Sequence, residues 1–197
     1  MVIVLAATAT ISAAPKFVNV WKAPDVTRLT FAGKKVAALV ITDDQSLQMS
    51  AEEALSRELA ARKVSGVASY RMLPREEMKS ADTARGWYER AAVQGVVAIR
   101  PVSVFEERAA SPVVWTSGYY PSFWGYYGYG WSTVYVAPLS ARKTTTVVVE
   151  TLVYDLMRDR LVWAGLSETR NPADLQRFIH ELVAAAVDEM KKNKLVG

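Results

Sequence analysis

The run Val36–Ile41 reads Val-Ala-Ala-Leu-Val-Ile, with no polar residue in it. A strand with one wet face alternates apolar and polar side chains, so an unbroken short run fits a strand buried on both faces. Such a strand needs a layer above it and a layer below it, and helices are the usual layers.

The flanking sequence supplies the expected helices and strands. Phe17–Trp21 alternates apolar and polar, the period of a strand. Thr42-Asp43-Asp44-Gln45 ends the apolar run as a polar loop. Ser50-Ala51-Glu52-Glu53 has the form of a capping box and predicts a helix from Ser50 to about Lys63. Ala51, Ala54, Leu55 and Leu59 form its apolar stripe, and Glu53–Arg57 and Glu58–Arg62 are spaced as helical ion pairs. Ser65-Gly66 stops that helix, and Val67–Met72 reads as the next strand. A second helical region begins at Leu73-Pro74 and runs through Asp82–Gln94, with Gly95 placed as its C-terminal cap. Val96–Glu107 is a long strand with Pro101 inside it, which predicts an edge or a bulge. Thr144–Leu156 and Arg160–Thr169 are joined by Met157-Arg158-Asp159, a connection short enough for an antiparallel hairpin. Asn171, Pro172 and Asp174 open a final helix, with Asn171 as cap and a buried face of Leu175, Phe178, Ile179, Leu182, Ala186, Val187 and Met190.

After the first strand the order is β-α-β-α-β-β-β-α. The expected class is α/β (α+β): a single mixed sheet with helices packed on it and a long aromatic loop. At 197 residues the chain suits one domain, here 15–197, with an insertion at 108–142 between strands. Residues 1–14 carry no charge and pass from an apolar run to Ser12-Ala13-Ala14, which reads as an export signal. No other stretch approaches the length of a membrane-spanning helix. Net charge is +4, and the only basic clusters are Lys34-Lys35 and Lys191-Lys192-Lys194, too small to argue for nucleic acid. With no cysteine, the chain has neither disulfides nor thiolate metal sites.

Within the insertion, residues 118–131 read Gly-Tyr-Tyr-Pro-Ser-Phe-Trp-Gly-Tyr-Tyr-Gly-Tyr-Gly-Trp. The glycines argue against a regular helix, and the rings argue against an inert linker. Three uses suit this composition: a lid packed over the sheet, a protein-recognition loop, or a stacking surface for sugars or a membrane interface. The segment has no Lys or Arg and no long aliphatic residue for a membrane, and no Asp, Glu, Asn or Gln to read sugar hydroxyls. The expected contact residues are Tyr119, Tyr120, Phe123, Trp124, Tyr126, Tyr127, Tyr129 and Trp131, with Gly125, Gly128 and Gly130 letting the backbone adapt.

Conventional chemistry finds little footing. His180 is the single histidine, on the outer side of the last helix and without a local partner motif. Asp43-Asp44 is short of the oxygen ligands of a hard-cation site. Glu106-Glu107 and Glu150 do not form a glycosidase pair, because adjacent strand residues point to opposite faces. No phosphate-cradling glycine motif is present. Trp87 and Trp163 read as core, and nothing is assigned to Tyr88 or Tyr154. No catalytic residue, cofactor or metal site is expected.

Three features together resemble uncharacterised bacterial envelope lipoproteins of small mixed α/β type. They are the export-like start leading to Phe17–Trp21 and Asp25-Val26, the Tyr/Gly/Trp-rich insertion at 118–131, and the hairpin Glu150–Leu156 with Asp159–Gly165. The element order is also distantly similar to the envelope lipoproteins that activate penicillin-binding proteins and to the N-terminal domain of the Tol-system propeller protein. Lipoproteins carry their lipid on a cysteine, which this sequence lacks, so the resemblance implies a soluble exported relative or a different natural start. It implies a periplasmic or outer-membrane-associated location. The resulting expectation is a non-enzymatic envelope protein that binds a protein partner through the aromatic residues. A cell-wall or other glycan-binding role for the same rings is the alternative, and self-association through them is a further expectation.

Overall fold

The computed structural model describes residues 14–26, 31–106, 120–134, 145–172 and 174–197, with 103–106 described by backbone alone. The expected export segment, apart from Ala14, and the expected contact residue Tyr119 lie outside the described residues. The elements are β1 (Lys16–Lys22), β2 (Lys35–Val40), α1 (Gln45–Ala61), β3 (Ser65–Ala68), α2 (Ala81–Arg90), β4 (Gly95–Glu106), α3 (Phe123–Ser132), β5 (Thr145–Asp155), β6 (Arg160–Arg170) and α4 (Leu175–Lys192). Two 3-10 turns, Ser69–Arg71 and Arg75–Glu77, precede α2.

The strands form one mixed sheet in the order β1-β6-β5-β4-β2-β3. β3, β2 and β4 are parallel, and β4, β5, β6 and β1 run antiparallel in turn. Parallel neighbours need long crossovers, which α1 and α2 provide, whereas β5 and β6 need only a tight turn. Asp159 takes the left-handed conformation in that turn, at φ 43°. β2 is covered on both faces, as its unbroken apolar run requires. Val36, Ala38 and Val40 face a core with α1 and α4, and Ala37, Leu39 and Ile41 face a core with α2 and α3. The molecule is thus three layers, helices on either side of the sheet.

Several local expectations are corrected. α1 starts at Gln45, capped by Asp44, whose carboxylate accepts from the Leu47 amide. Ser50 is inside the helix, where its hydroxyl donates to Gln176 of α4. An earlier start lets Gln48 reach the interior, where it is buried. β3 is shorter than Val67–Met72, because the chain turns at Ser69 and presents the Tyr70 amide to the Glu52 carboxylate. Gly95 does not cap α2. It opens β4, where an added Cβ would lie 2.2 Å from the Phe31 ring. At Pro101 the expected bulge is present: the β4–β5 register shifts between Pro101 and Ser103, two residues beyond Ile99, where the β2 pairing ends. α4 is capped by Asp174, not Asn171. Asn171 instead adopts φ 48° and joins the start of β5, its side-chain oxygen accepting from the Thr145 amide and its own amide donating to the Thr145 carbonyl. Trp163 is fully buried as expected, but Trp87 is only half-buried, its indole N–H donating to Glu77 and the Arg90 guanidinium lying 4.3 Å from its ring centroid.

Candidate functional site

The largest correction concerns the aromatic segment. Phe123–Ser132 is a helix, despite its three glycines. Ser122 caps it, accepting from the Gly125 amide, and the Asp159 carboxylate accepts from the Phe123 amide, so the charge sits where a helix N-terminus favours it. The glycine penalty, roughly 1 kcal/mol each against alanine, is opposed by burial of large rings. Phe123, Tyr126, Tyr127 and Trp131 face the sheet and are buried. Tyr120 and Trp124 are half-buried, and Tyr129 is 43% exposed. Phe123 packs on Tyr154 of β5 at 5.4 Å between ring centroids, and Tyr88 of α2 meets Trp124 edge-on at 5.7 Å. Gly130 lets the helix come down onto β2: an added Cβ would lie 2.6 Å from Ile41 Cδ1.

Beneath α3 lies a buried ion pair that no sequence motif marks. Arg100 of β4 and Glu150 of β5 are directly opposed across the ladder, on the face that carries α3. Their side chains are nearly inaccessible, and Arg100 Nε donates to Glu150 Oε1 at 2.6 Å. Each charge has further partners. The Tyr126 hydroxyl donates to Glu150 Oε1 at 2.9 Å, and Arg100 donates to Thr133 Oγ1 at 2.6 Å, just after α3 ends. The Arg100 guanidinium lies 5.0 Å from the Tyr129 ring centroid. Burial is the largest single influence on the Arg100 pKa and lowers it, but the Glu150 charge, Tyr126 and the hydrogen bonds with Glu150 and Tyr129 together outweigh burial and hold the guanidinium above its ordinary value. Burial, with the Glu150 charge second, raises the Tyr126 phenol well above its ordinary value, so Tyr126 remains a donor. Tyr129 behaves in the opposite way. Its hydrogen bond with Tyr120 leads in lowering the phenol, and Arg100 adds to it.

A third buried ionisable group ties the layers together. The Glu52 carboxylate of α1 accepts from the amides of Val40 and Tyr70 and from the Gln48 side chain. Gln48 also contacts the Met78 sulfur, and the Met78 carbonyl accepts from the Tyr127 hydroxyl of α3. Burial raises the Glu52 pKa to about 7, against the lowering effect of its donors. The clue to all three charges is in the sequence: Glu52 occupies an apolar helix stripe, and Arg100 and Glu150 interrupt Val-rich strands. The spacing of Arg100 and Glu150 gives no hint that they meet.

Other residues weighed for chemistry are held apart. His180 is exposed on α4, beside the Arg177–Glu181 ion pair. Asp43 pairs with Lys79, and Asp44 is committed to the cap of α1. The side chains of Glu106 and Glu107 lie outside the described residues. Among the described residues there is no group of three or more His, Cys, Asp or Glu able to hold a metal ion, and no helix is long and apolar enough to cross a membrane. Two shallow clefts lie on the opposite side of the sheet from α3. One is between α1 and α4, by Ala54, Arg57 and His180, and the other is by Arg62, Lys63 and Lys191.

The outward face of α3 is of another character. Gly125, Tyr129 and Ser132 are exposed, and Gly128 has open space where a side chain would point. The helix carries no charged side chain. Two of its rings have a cation near them: Arg85 is 5.0 Å from the Trp124 ring centroid, and Arg100 is equally close to Tyr129.

No family model matches this chain, and no curated protein does. Among solved structures, the PelC dodecamer from Paraburkholderia phytofirmans aligns over 88% of this chain and 94% of its own, with 12% identity and a TM-score of 0.49. A point variant of that dodecamer aligns over 90% and 96%, with 13% identity and a TM-score of 0.47.

Proposed function

We propose that this protein is a non-enzymatic binding protein of the cell envelope that engages a protein partner through the outward face of α3. The observation that carries the reading is the division of that helix. Four rings are committed to the interior, while Gly125, Gly128, Tyr129 and Ser132 form an uncharged, low-relief outer face. Glycine at such positions lets a second backbone approach closely, and a partly exposed tyrosine offers contact area with little side-chain entropy to lose. The contact residues are therefore fewer than the sequence composition suggests: Tyr129, with Tyr120 and Trp124 at its margins. Phe123, Tyr126, Tyr127 and Trp131 support the helix from within. The charge-free N-terminal segment and the resemblance to envelope lipoproteins support an envelope location.

A protein partner is favoured over a glycan because the ring faces are already engaged. Arg85 lies against Trp124, and Arg100 and Tyr120 lie against Tyr129. A sugar needs an open ring face, whereas a protein partner can use ring edges and the glycine surface. Crosslinking in the native envelope followed by mass spectrometry tests the reading. Gly128→Glu places a charge on the outer face in open space, and Tyr129→Ser removes its ring. Loss of one protein crosslink in both variants is the expected result. An unchanged crosslink pattern in both would sink the reading, and retention on purified sacculi that depends on Tyr129 would favour the glycan alternative.

A further inference from the structure

With no cysteine, this chain cannot staple its parts by disulfides. Tyrosine offers another covalent link, because two phenols that each lose one electron and one proton can join through ring carbons next to their hydroxyls. The requirements are geometric: two phenol ends side by side, one of them open to the oxidant, and neither locked as a buried donor. The tyrosines under α3 fail these conditions. Tyr126 and Tyr154 stack at 5.8 Å and 27°, but both are fully buried, and the Tyr126 hydroxyl is held as a hydrogen-bond donor to Glu150. Tyr127 is likewise buried, with its hydroxyl donated to the Met78 carbonyl.

Tyr120 and Tyr129 meet the conditions. Their ring centroids are 5.0 Å apart with planes inclined at 37°, closer to parallel than the edge-on Tyr120–Tyr126 contact at 78°. Tyr129 is the exposed member, and Tyr120 is half-buried behind it. The Arg100 guanidinium lies on the Tyr129 ring and is itself fixed by Glu150 and Thr133, so a positive charge is permanently placed beside that phenol. Phenolate gives up an electron more readily than phenol, and the cation favours phenolate at Tyr129, whereas burial and the hydrogen bond it donates to Tyr129 keep the Tyr120 phenol protonated. We propose that Tyr120 and Tyr129 are an oxidative crosslinking site, closed by peroxide acting through a haem peroxidase to give an intramolecular dityrosine. Each phenol loses one electron and its hydroxyl proton. The two radicals join by one carbon–carbon bond, and each ring then moves its displaced ring proton to oxygen and recovers its hydroxyl. The peroxide accepts the two electrons and two protons and leaves as two waters. The bond would pin the segment before α3 to that helix's C-terminal half.

The test treats the purified full chain with hydrogen peroxide and a haem peroxidase, then measures dityrosine fluorescence and mass. The stretch between Arg108 and Arg142 contains no Lys or Arg, so trypsin leaves both tyrosines in one fragment, 109–142. The expected product is a monomer whose 109–142 fragment has lost two hydrogens. A chymotryptic digest of it should yield a joined pair of peptides containing residues 120 and 129. Tyr129→Phe and Tyr120→Phe keep the rings, and each should abolish both the mass loss and the fluorescence. Circular dichroism confirms that the variants remain folded. Coupling that survives in either variant, that joins Tyr119 instead, or that appears only between molecules would overturn the assignment, as would the absence of coupling in the native chain.

Discussion

The two sides of the sheet are built from different materials. The side under α1 and α4 is mainly aliphatic: Val36, Ala38, Val40, Val97 and Val149 meet Leu55, Leu59, Val183 and Val187, with the rings of Phe31 and Trp163 among them. The side under α2 and α3 is aromatic and threaded with polar groups. Tyr88, Phe123, Tyr126, Tyr127 and Tyr154 pack together beside an Arg–Glu pair that Tyr126 reaches, and each tyrosine hydroxyl has a hydrogen-bond partner. An aliphatic core is held by area and fit alone. The aromatic one must also satisfy every buried hydroxyl and charge, which fixes where its parts sit. A surface helix with three glycines is poorly specified by its own propensity. Here it is placed from below by hydrogen bonds that only one register can make.

The largest expected effect comes from breaking the polar core on one side only. Glu150→Ala leaves Arg100 buried without its counter-charge and should cost about 3–5 kcal/mol. Replacing both partners, Arg100→Met with Glu150→Leu, should cost less than that single change, because no charge is then stranded. On the aliphatic side Leu59→Ala should cost about 2–5 kcal/mol by leaving a cavity. No pairing change can recover that loss. Equilibrium urea denaturation of the four chains checks the contrast, and equal losses for the single and double polar variants would contradict it.

A comparable effect should appear with pH at Glu52, which links both layers. Its folded pKa is raised from an ordinary 4.5 to about 7. The folded state therefore holds the proton more tightly than the unfolded chain. The stability this provides is complete below pH 4.5 and is lost as pH rises through about 7. The loss is on the order of 3 kcal/mol. Thermal melts between pH 4.5 and 8 should show that slope in the native chain and a much flatter one in Glu52→Gln. The same slope in both would assign it to another group.

The smallest expected effects separate the two sides of α3 itself. Gly128→Ala adds a methyl group in open space on a helix and should stabilise the protein by up to about 1 kcal/mol. Gly130→Ala makes the same gain in propensity but drives a methyl into Ile41, so its net effect should be destabilising. Melting temperatures that move in the same direction for both would mean that the helix is not seated as described.

The sequence makes the aliphatic side far more legible than the aromatic side. Val36–Ile41 points to two covering layers, the α1 stripe is buried throughout, and the α4 stripe is buried from Ile179 on, with Leu175 and Phe178 half-buried and Val183 added to it. Pattern reasoning fails where tertiary partners decide. Ser50-Ala51-Glu52-Glu53 has the form of a helix start, yet Asp44 captures the cap because Gln48 and Glu52 are both needed inside. Asn171 looks like a cap but is used to start β5. The glycines at 125, 128 and 130 argue against a helix by propensity, while the rings between them argue for burial, and burial prevails once β4 and β5 supply a platform. Composition picks out the aromatic segment as special but cannot say which rings face inward. That depends on Glu150, Met78 and Ile41, all distant in sequence.

The central claim is that α3 is half foundation and half surface. Denaturation of Tyr127→Ser and Tyr129→Ser, measured side by side, tests it most directly. Tyr127 is buried and bonded to the Met78 carbonyl, so its loss should cost about 3–5 kcal/mol. Tyr129 faces outward, and its loss should change stability by no more than about 1 kcal/mol. Similar small losses in both would mean that the aromatic segment is not part of the core and would contradict the account. A small loss at Tyr127 with a large one at Tyr129 would reverse the two faces.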